Sequence, residues 1–176
     1  MELRPQDVVV ALKLAVLPEA EQPTYAGMAA ALEMSSSEVH SAVKRAKAAR
    51  LVVDLDGRLR ADRRCLLEFL IHGVKYAFPA VRGGLTRGVP TSVAAPPLNG
   101  EFASGGEPPP VWPDAAGKMR GLEFSPLARN APKAAKRDQE LYELLALVDA
   151  IREGRARERQ MAVKELTARL KRRRRR

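Results

Sequence analysis

The most constraining feature of the sequence is a helix start at Ser35. Ser35 stands three residues before Glu38. This spacing is typical of a capping box, in which each side chain accepts a hydrogen bond from the other residue's backbone N–H. Apolar residues then recur at helical spacing: Val39, Ala42, Val43 and Ala46. The pattern predicts a helix from Ser36 to about Ala49 with one apolar stripe and an opposite polar face.

Two more helices are predicted before this one. Residues 5–17 are apolar nearly all round, and Pro5 suits a first helical position. Asp7 lies in the first turn, where the helix dipole favours negative charge. We therefore expect a buried first helix. Thr24 is a suitable N-cap for a second helix from Tyr25 to Glu33.

A short hairpin is predicted after the third helix. Residues 51–54 and 58–60 have the composition of short strands, and Asp56-Gly57 stands between them. An Asp-Gly pair between two such segments is a strong signal for a tight β-turn. A further helix should then run from Asp62 to His72, because Leu66, Leu67, Leu70 and Ile71 recur at helical spacing.

The order helix, helix, turn, helix, hairpin resembles the winged helix-turn-helix of bacterial MarR-like transcriptional regulators. The resemblance is carried by residues 28–39, 42–43 and 50–52, and it spans roughly residues 5–61. In this family pattern a small residue such as Ala29 lets the two central helices approach closely. The pattern's small shared core corresponds here to Leu32, Met34, Val39 and Val43.

This sequence departs from the family pattern at two positions. Glu33 and Arg50 stand where the family usually has glycine, before the turn and before the first strand of the hairpin. The resemblance implies a DNA-binding domain at residues 1–73, with the third helix as the recognition helix and the hairpin as the wing.

The side chains outside the apolar stripe of the third helix suit such a role. They are hydroxyl-bearing, basic or imidazole side chains: Ser36, Ser37, His40, Ser41, Lys44, Arg45 and Lys47. A helix fits the major groove, where base edges carry a distinct hydrogen-bonding code, and its N-terminus favours phosphate. We expect Ser36, Ser37 and His40 to contact base edges. Phosphate contacts, which position the protein without reading sequence, are expected from Lys44, Arg45 and Lys47.

The hairpin is expected to add contacts beside the helix. Arg58 and Arg60 flank the turn, from which a guanidinium can enter the minor groove or bind the DNA backbone. Arg63 and Arg64 extend the same basic stretch.

The distribution of charge agrees with a polyanionic partner. The chain has a net charge of +10 and a pI of about 10.2. Residues 35–64 carry eight Lys and Arg against four Asp and Glu, and residues 133–176 carry fifteen against seven. A basic chain of this kind suits nucleic acid, although an anionic membrane surface or simple solubility are other readings of the same total.

The middle of the chain has a different character. Residues 79–113 hold eight of the 13 prolines and six of the 12 glycines. This composition disfavours helices and central strands. Within the wider range 74–130 we expect either a disordered linker or an irregular extension that wraps a partner or the chain's own domain. The glycines near Arg82 and Arg87 lack the Gly-Lys-Ser/Thr ending of a nucleotide-binding loop.

The basic C-terminal region, residues 131–176, is expected to be helical. One helix carries an apolar face formed by Leu141, Leu144, Leu145, Val148 and Ile151, and a charged helix follows over residues 155–171. The apolar face has two readings: it forms a homodimer interface, or it packs against the N-terminal domain. The last five residues, Arg172–Arg176, are expected to add salt-sensitive affinity for phosphates.

Several other classes of function lack support in the sequence. Cys65 is the single cysteine, so no internal disulfide can form, and no Cys/His cluster has zinc-ligand spacing. The chain has two histidines and no evident Ser/His/Asp or Cys/His set, so we expect neither an enzyme nor a cofactor or metal site. No run approaches the about 18 apolar residues of a membrane span, and a cytoplasmic location fits best.

Together these observations predict a mainly α fold: a winged helix-turn-helix with its small β-hairpin, a Pro/Gly-rich irregular middle and C-terminal helices. The expected function is that of a transcriptional regulator that binds double-stranded DNA sequence-specifically as a homodimer. The alternative is a winged-helix subunit that binds a partner protein through the middle or C-terminal region, as an antitoxin or scaffold would.

Overall fold

The computed structural model describes residues 2–103 and 105–171. Across these residues the chain has a mixed α/β fold with eight α-helices, a two-stranded hairpin and a three-stranded sheet. The helices are α1 (Pro5–Val16), α2 (Tyr25–Leu32), α3 (Ser36–Ala48), α4 (Arg63–His72), α5 (Val74–Ala77), α6 (Ala131–Arg137), α7 (Gln139–Glu153) and α8 (Ala156–Lys171). The strands are β1 (Val52–Leu55), β2 (Arg58–Ala61), β3 (Arg82–Pro90), β4 (Pro110–Pro113) and β5 (Met119–Phe124). The predicted arginine run 172–176 lies outside the described residues.

The helix starts in the N-terminal region lie where the sequence predicts them. The Asp7 carboxylate accepts a hydrogen bond from the Arg4 backbone N–H, at 2.8 Å, at the start of α1. Thr24 Oγ1 accepts from the Gly27 N–H at 3.0 Å at the start of α2. Such caps satisfy backbone donors that would otherwise lack partners. Helix α1 is buried, as predicted, with Val8 to Leu12 fully inaccessible to solvent.

Helices α2 and α3 each end at or next to a residue with a left-handed backbone conformation. Glu33 has φ 53° after α2, and Arg50 has φ 60° after α3. Leu51 N–H donates to Ala46 O and Arg50 N–H donates to Lys47 O, a pair of bonds that defines a Schellman motif. Both residues therefore adopt a conformation that glycine tolerates better than other residues.

The middle segment is not a disordered linker and is not irregular throughout, because it contains three strands, and it packs into the chain's own core. Strand β3 pairs antiparallel with both β4 and β5, and β4 pairs parallel with β5, so each strand contacts the other two. Glycines make this close arrangement possible. A Cβ atom at Gly88 would overlap the Trp112 carbonyl, and one at Gly121 would overlap the Pro109 carbonyl.

A buried ion pair fixes this sheet to helix α7. The Asp149 carboxylate accepts hydrogen bonds from Thr91 Oγ1 and Trp112 Nε1, each at 2.7 Å. Arg152 Nη1 donates to the other oxygen of Asp149, also at 2.7 Å, and Arg152 Nε donates to Phe78 O at 2.8 Å. Burial raises the pKa of Asp149, while Arg152 and the hydrogen bonds oppose that rise. This network satisfies the buried polar groups that the middle segment brings into the core.

One hydrophobic core includes residues from all three segments that the sequence distinguishes. It runs from Val8 on α1 through Trp112 on β4 to Leu170 on α8. The apolar face of α7 is fully buried in it, and α7 packs against α1, α5, α6 and α8. Of the two readings of this face, the structure therefore shows packing within the chain. Among the described helices, none has the length and apolar character needed to cross a membrane.

Candidate nucleic-acid interface

Helix α3 has a sharply divided surface. Its apolar stripe of Val39, Ala42, Val43 and Ala46 is buried against α1, α2 and β1. The opposite face is exposed, and most of the predicted contact residues lie on it: Ser36, Ser37, His40, Ser41, Lys44 and Lys47. Serine hydroxyls both donate and accept hydrogen bonds, whereas the lysine ammonium only donates. The face can thus combine hydrogen bonding to mixed donor and acceptor patterns with attraction of anions.

The capping box at the start of α3 forms as predicted. The Glu38 backbone N–H donates to Ser35 Oγ at 3.1 Å, and the Ser35 N–H donates to Glu38 Oε2 at 2.8 Å. The hydrogen bond from the Ser35 backbone is the main reason that the pKa of Glu38 is lowered. The Glu38 carboxylate is thus hydrogen-bonded to the backbone at the start of α3, whereas Ser36 and Ser37 in the first turn stay exposed.

Arg45 has a different place from the other basic residues of α3. Its Nε donates to Asp7 Oδ2 at 2.8 Å and its Nη2 donates to Asp7 Oδ1 at 2.7 Å. The Arg45 side chain is only 12% exposed and that of Asp7 is fully buried. The hydrogen bonds with Asp7 raise the pKa of Arg45. Because its guanidinium is committed to α1, Arg45 positions α3 and is not presented to a ligand.

Lys44 and Lys47 remain on the outer surface of α3. Within the part of the chain that the structure describes, the Lys44 side chain makes no hydrogen bond or ion pair, so its ammonium is open to a ligand. Lys47 lies 3.5 Å from Asp54 on β1, and both side chains are about two-fifths exposed. An exposed ion pair of this kind is weak, so Lys47 can exchange Asp54 for another anion.

The β1–β2 hairpin lies beside α3, with β1 packed against it. The strands pair antiparallel with Leu55 opposite Arg58. Asp56 and Gly57, between them, both have positive φ, at 53° and 77°, as a type I′ turn requires. Arg58 is exposed immediately after this turn.

Arg60 is partly used within the chain. Its Nη1 donates to Leu59 O and its Nη2 to Glu19 O, each at 2.7 Å. Near the turn, Gln22 Nε2 donates to Gly57 O at 3.0 Å. These bonds hold the connector between α1 and α2 against the hairpin. Arg60 therefore fixes the hairpin's orientation, and Arg58 is the hairpin arginine that is presented outward.

The structure adds one residue that the sequence did not indicate. The Tyr25 ring, on the first turn of α2, lies 5.2 Å from the His40 ring, centroid to centroid, at an angle of 55°. Tyr25 is exposed, so the pair joins the two helices on the outer surface. The local sequence shows only that Tyr25 directly follows the N-cap Thr24 and begins its helix; its closeness to His40 depends on the packing of α2 against α3.

The basic residues at the start of α4 divide in the same way. Arg63 Nη2 donates to Ala15 O at 2.8 Å and so ties α4 to the end of α1. The Arg64 side chain is exposed. Across the described residues, no group of three or more His, Cys, Asp or Glu side chains is arranged to hold a metal ion.

The resulting surface combines three exposed features: the hydroxyl-rich first turns of α3, the Tyr25–His40 pair, and the cations of Lys44, Lys47 and Arg58. Its rigidity comes from Arg45 and Arg60, which bind within the chain. The arrangement can bind an anionic ligand large enough to contact a helix and a hairpin at once. Comparisons of the chain with protein-family models, with curated proteins and with solved structures found no match.

Proposed function

We propose that the chain is a sequence-specific, double-stranded-DNA-binding transcriptional regulator built on a winged helix-turn-helix. In this proposal α3 enters the major groove and the β1–β2 hairpin contacts the backbone or the adjacent minor groove. The observation that carries the proposal is the outer face of α3. It is exposed, rich in hydroxyls and cations, and held to α1 by the Arg45–Asp7 ion pair beside a hairpin that presents Arg58.

The outer face of α3 and the hairpin would make two kinds of contact with DNA. Ser36, Ser37 and His40 lie in the first turns of α3, where a recognition helix places side chains against base edges. Lys44 and Arg58 are exposed and make no described hydrogen bond or ion pair within the chain, so they can bind phosphates without first breaking one. Phosphate contacts of this kind supply affinity and its salt dependence, whereas base contacts supply sequence preference.

The first experiment selects bound fragments from random double-stranded DNA with the full chain. A shared sequence motif among the selected fragments is the expected result. If the chain binds as a homodimer, the motif should contain two half-sites whose centres lie about 10 base pairs apart, or a multiple of that. The logarithm of the affinity should fall steeply with the logarithm of the salt concentration, by about 0.9 for each phosphate contacted. Fragments without a shared motif, bound equally at all salt concentrations, would contradict the proposal.

A charge-matched pair of variants tests the site itself. Lys44→Ala with Arg58→Ala removes two cations from the proposed face. Arg157→Ala with Lys164→Ala removes two exposed cations from α8, which packs against α4 and α7. The first pair should lower the affinity at 0.1 M salt by about 60-fold and the salt slope by about 2, because each phosphate contact contributes about 0.9. The α8 pair should leave both nearly unchanged. Equal effects from the two pairs would contradict the site assignment.

A second function is favoured by a separate observation, three exposed apolar residues at the start of the middle segment. Tyr76, Val81 and Leu85 are 75%, 67% and 57% exposed. A protein-binding surface is marked by exposed apolar residues that form one contiguous patch, and this second candidate requires that these three side chains do so. The chain would then act as a protein-binding subunit, or would form its homodimer here. Tyr76→Ser with Leu85→Ser should in that case reduce self-association in sedimentation equilibrium and leave DNA binding by a single copy intact.

A further inference from the structure

Helix α6 is attached to the C-terminal end of α2 at two points. Asn130 Nδ2 donates to Leu32 O at 2.8 Å, and Arg137 Nη1 donates to Ala30 O at 3.0 Å. Arg137 also forms an ion pair with Glu33. The inner face of α6, formed by Ala131, Ala134 and Ala135, is buried. The position of α6 relative to α2 is therefore fixed by packing and by hydrogen bonds at both ends of the helix.

These attachments place α6 next to the start of α3. Glu33, the ion-pair partner of Arg137, is only two residues before Ser35, the N-cap of α3. Lys133 precedes Arg137 by four residues, so it lies on the same side of α6, about 6 Å farther along the helix axis. A row of cations on α6 thus begins beside the turn that leads into α3.

The connection between β4 and β5 joins the same surface. Asp114, at its start, forms an ion pair with Lys136 of α6. Lys136 and the Ala116 backbone N–H hold the pKa of Asp114 below its usual range, and the charge of Lys133 adds to this effect. Lys118, at the other end of the connection, is exposed. The acidic group of this surface is therefore already neutralised by a cation of α6.

The balance of charge on this surface is positive. The carboxylates at α6 are each ion-paired: Glu33 with Arg137, Asp114 with Lys136, and the C-cap Asp138 with Lys13. Three further cations are exposed and form no hydrogen bond or ion pair with the described residues: Lys118 on the β4–β5 connection, Arg129 directly before the N-cap Asn130, and Lys133 on α6. Exposed cations that form no close ion pair suit the phosphates of a polyanion.

We propose that α6, the residue before its N-cap and the β4–β5 connection form a second phosphate-binding surface, through Lys133, Arg129 and Lys118 respectively, which contacts the DNA backbone flanking the groove that α3 enters. This inference rests on the proposed function, and it extends the contacted DNA beyond the reach of α3 and the hairpin. The surface contacts phosphates only, so it adds affinity without changing the preferred base sequence.

The test measures DNA binding by the full chain, with the fragment that the wild type selects, as a function of salt. Arg129→Ala with Lys133→Ala should lower the salt slope by about 2 and the affinity at 0.1 M salt by about 60-fold, with the order of preference among fragments unchanged. The matched control is Arg157→Ala with Lys164→Ala on α8. Circular dichroism and thermal unfolding of each variant check that the fold is retained.

A second measurement does not depend on loss of binding. An iron chelate attached at position 133, through Lys133→Cys in a Cys65→Ser background, should cleave the DNA backbone on one flank of the selected motif. If the α6 variants bind with unchanged slope and the chelate cleaves nothing, while Lys44→Ala with Arg58→Ala loses binding, the α6 surface is overturned and the proposed function stands. If the wild type binds no DNA, both are overturned.

Discussion

Arg45 of α3 and Asp7 of α1 form a two-point ion pair with N–O distances of 2.7 and 2.8 Å, and the Asp7 side chain is fully buried. Asp7 also accepts the Arg4 backbone N–H, so the same carboxylate caps α1 and holds α3. Arg45, expected from the sequence to contact phosphate, thus orients α3 itself. The angle at which α3 presents its outer face depends on this contact.

We expect Arg45→Ala to be strongly destabilising. Removing one partner of a buried ion pair leaves an uncompensated charge and costs about 3–5 kcal/mol. For a chain of this size the midpoint of thermal unfolding should fall by roughly 10 °C. Urea denaturation followed by far-UV circular dichroism measures the free energy of unfolding directly.

Lys47→Ala is the control for that prediction, because the Lys47–Asp54 ion pair is exposed on the same helix. Its removal should change the free energy of unfolding by about 0.5 kcal/mol or less. Equal losses from the two variants would show that the Arg45–Asp7 contact has no special role in stability.

The Asp149–Arg152 pair should be equally important for the middle segment. Asp149→Ala leaves the Arg152 guanidinium buried without a carboxylate and removes the acceptor of Thr91 and Trp112. The expected loss is about 3–5 kcal/mol, a large part of the total stability of a typical domain, which is about 5–15 kcal/mol. Glu153→Ala, at an exposed ion pair on the same helix, should change little. A well-folded Asp149→Ala protein with wild-type stability would contradict this role of the network.

The shared core predicts a single unfolding transition. Trp112 is the chain's one tryptophan and it is fully buried, so its fluorescence reports on the packing of the middle segment against α7. Far-UV circular dichroism reports mainly on the helices. Because α1, β4 and α8 contribute to one core cluster, the two urea transitions should coincide. An earlier fluorescence transition would mean that the middle segment folds as a separate, weaker unit.

The N-terminal elements could be predicted from sequence because their signals are local. Ser35 and Glu38 form the capping box that starts α3, and Asp56-Gly57 forms the turn of the hairpin. The exposed or buried side of α3 follows from the period of its apolar residues. Each of these signals involves residues within a few positions of one another, so the sequence displays them directly.

The rest depends on contacts between residues far apart in the chain. Asp7 and Arg45 are 38 positions apart, and nothing local distinguishes Arg45 from its exposed neighbour Lys44. In the middle segment, Gly88 and Gly121 allow a close approach of Trp112 and Pro109 backbone atoms. The high frequency of glycine and proline in this segment instead predicts a lack of regular structure. Composition indicates how flexible a segment is in isolation. The strands of the middle segment form because of tertiary packing, which composition does not show.

The capping box should make the stability of the α3 start depend on pH. The pKa of Glu38 is lowered, chiefly by the hydrogen bond from the Ser35 backbone. A lowered acid pKa in the folded state means that the carboxylate stabilises the fold above its unfolded-state pKa. This contribution is lost as pH falls through the folded-state pKa. Glu38→Gln should therefore be less stable than the wild type at pH 7, and the difference should shrink toward acidic pH.

Measurements on Ser35→Ala check the cause of that shift. NMR titration of the Glu38 side chain should give a pKa nearer the ordinary value of 4.5 in this variant than in the wild type, because the helix start that holds the carboxylate is loosened. An unchanged Glu38 pKa in Ser35→Ala would mean that the backbone bond alone maintains the shift. A pH-independent difference between Glu38→Gln and the wild type would contradict the prediction itself.

Arg50 should separate stability from ligand binding. It has φ 60° at the end of α3, where the Schellman motif favours glycine. The left-handed conformation costs a non-glycine residue about 1–2 kcal/mol in the folded state, and glycine removes this cost. Glycine also has more freedom in the unfolded chain, which offsets about 0.4–1 kcal/mol of the gain. Arg50→Gly should therefore raise the free energy of unfolding by about 0.5–1 kcal/mol and the unfolding midpoint by roughly 2 °C. Arg50 is exposed and stands in the chain between α3 and the hairpin, so under the proposed function the same variant should lower the salt slope of DNA binding by about 1. Arg50→Lys is the matched control, since it keeps both the charge and the strain. A loss of stability in Arg50→Gly would show that the Arg50 side chain stabilises the fold by more than its backbone conformation costs.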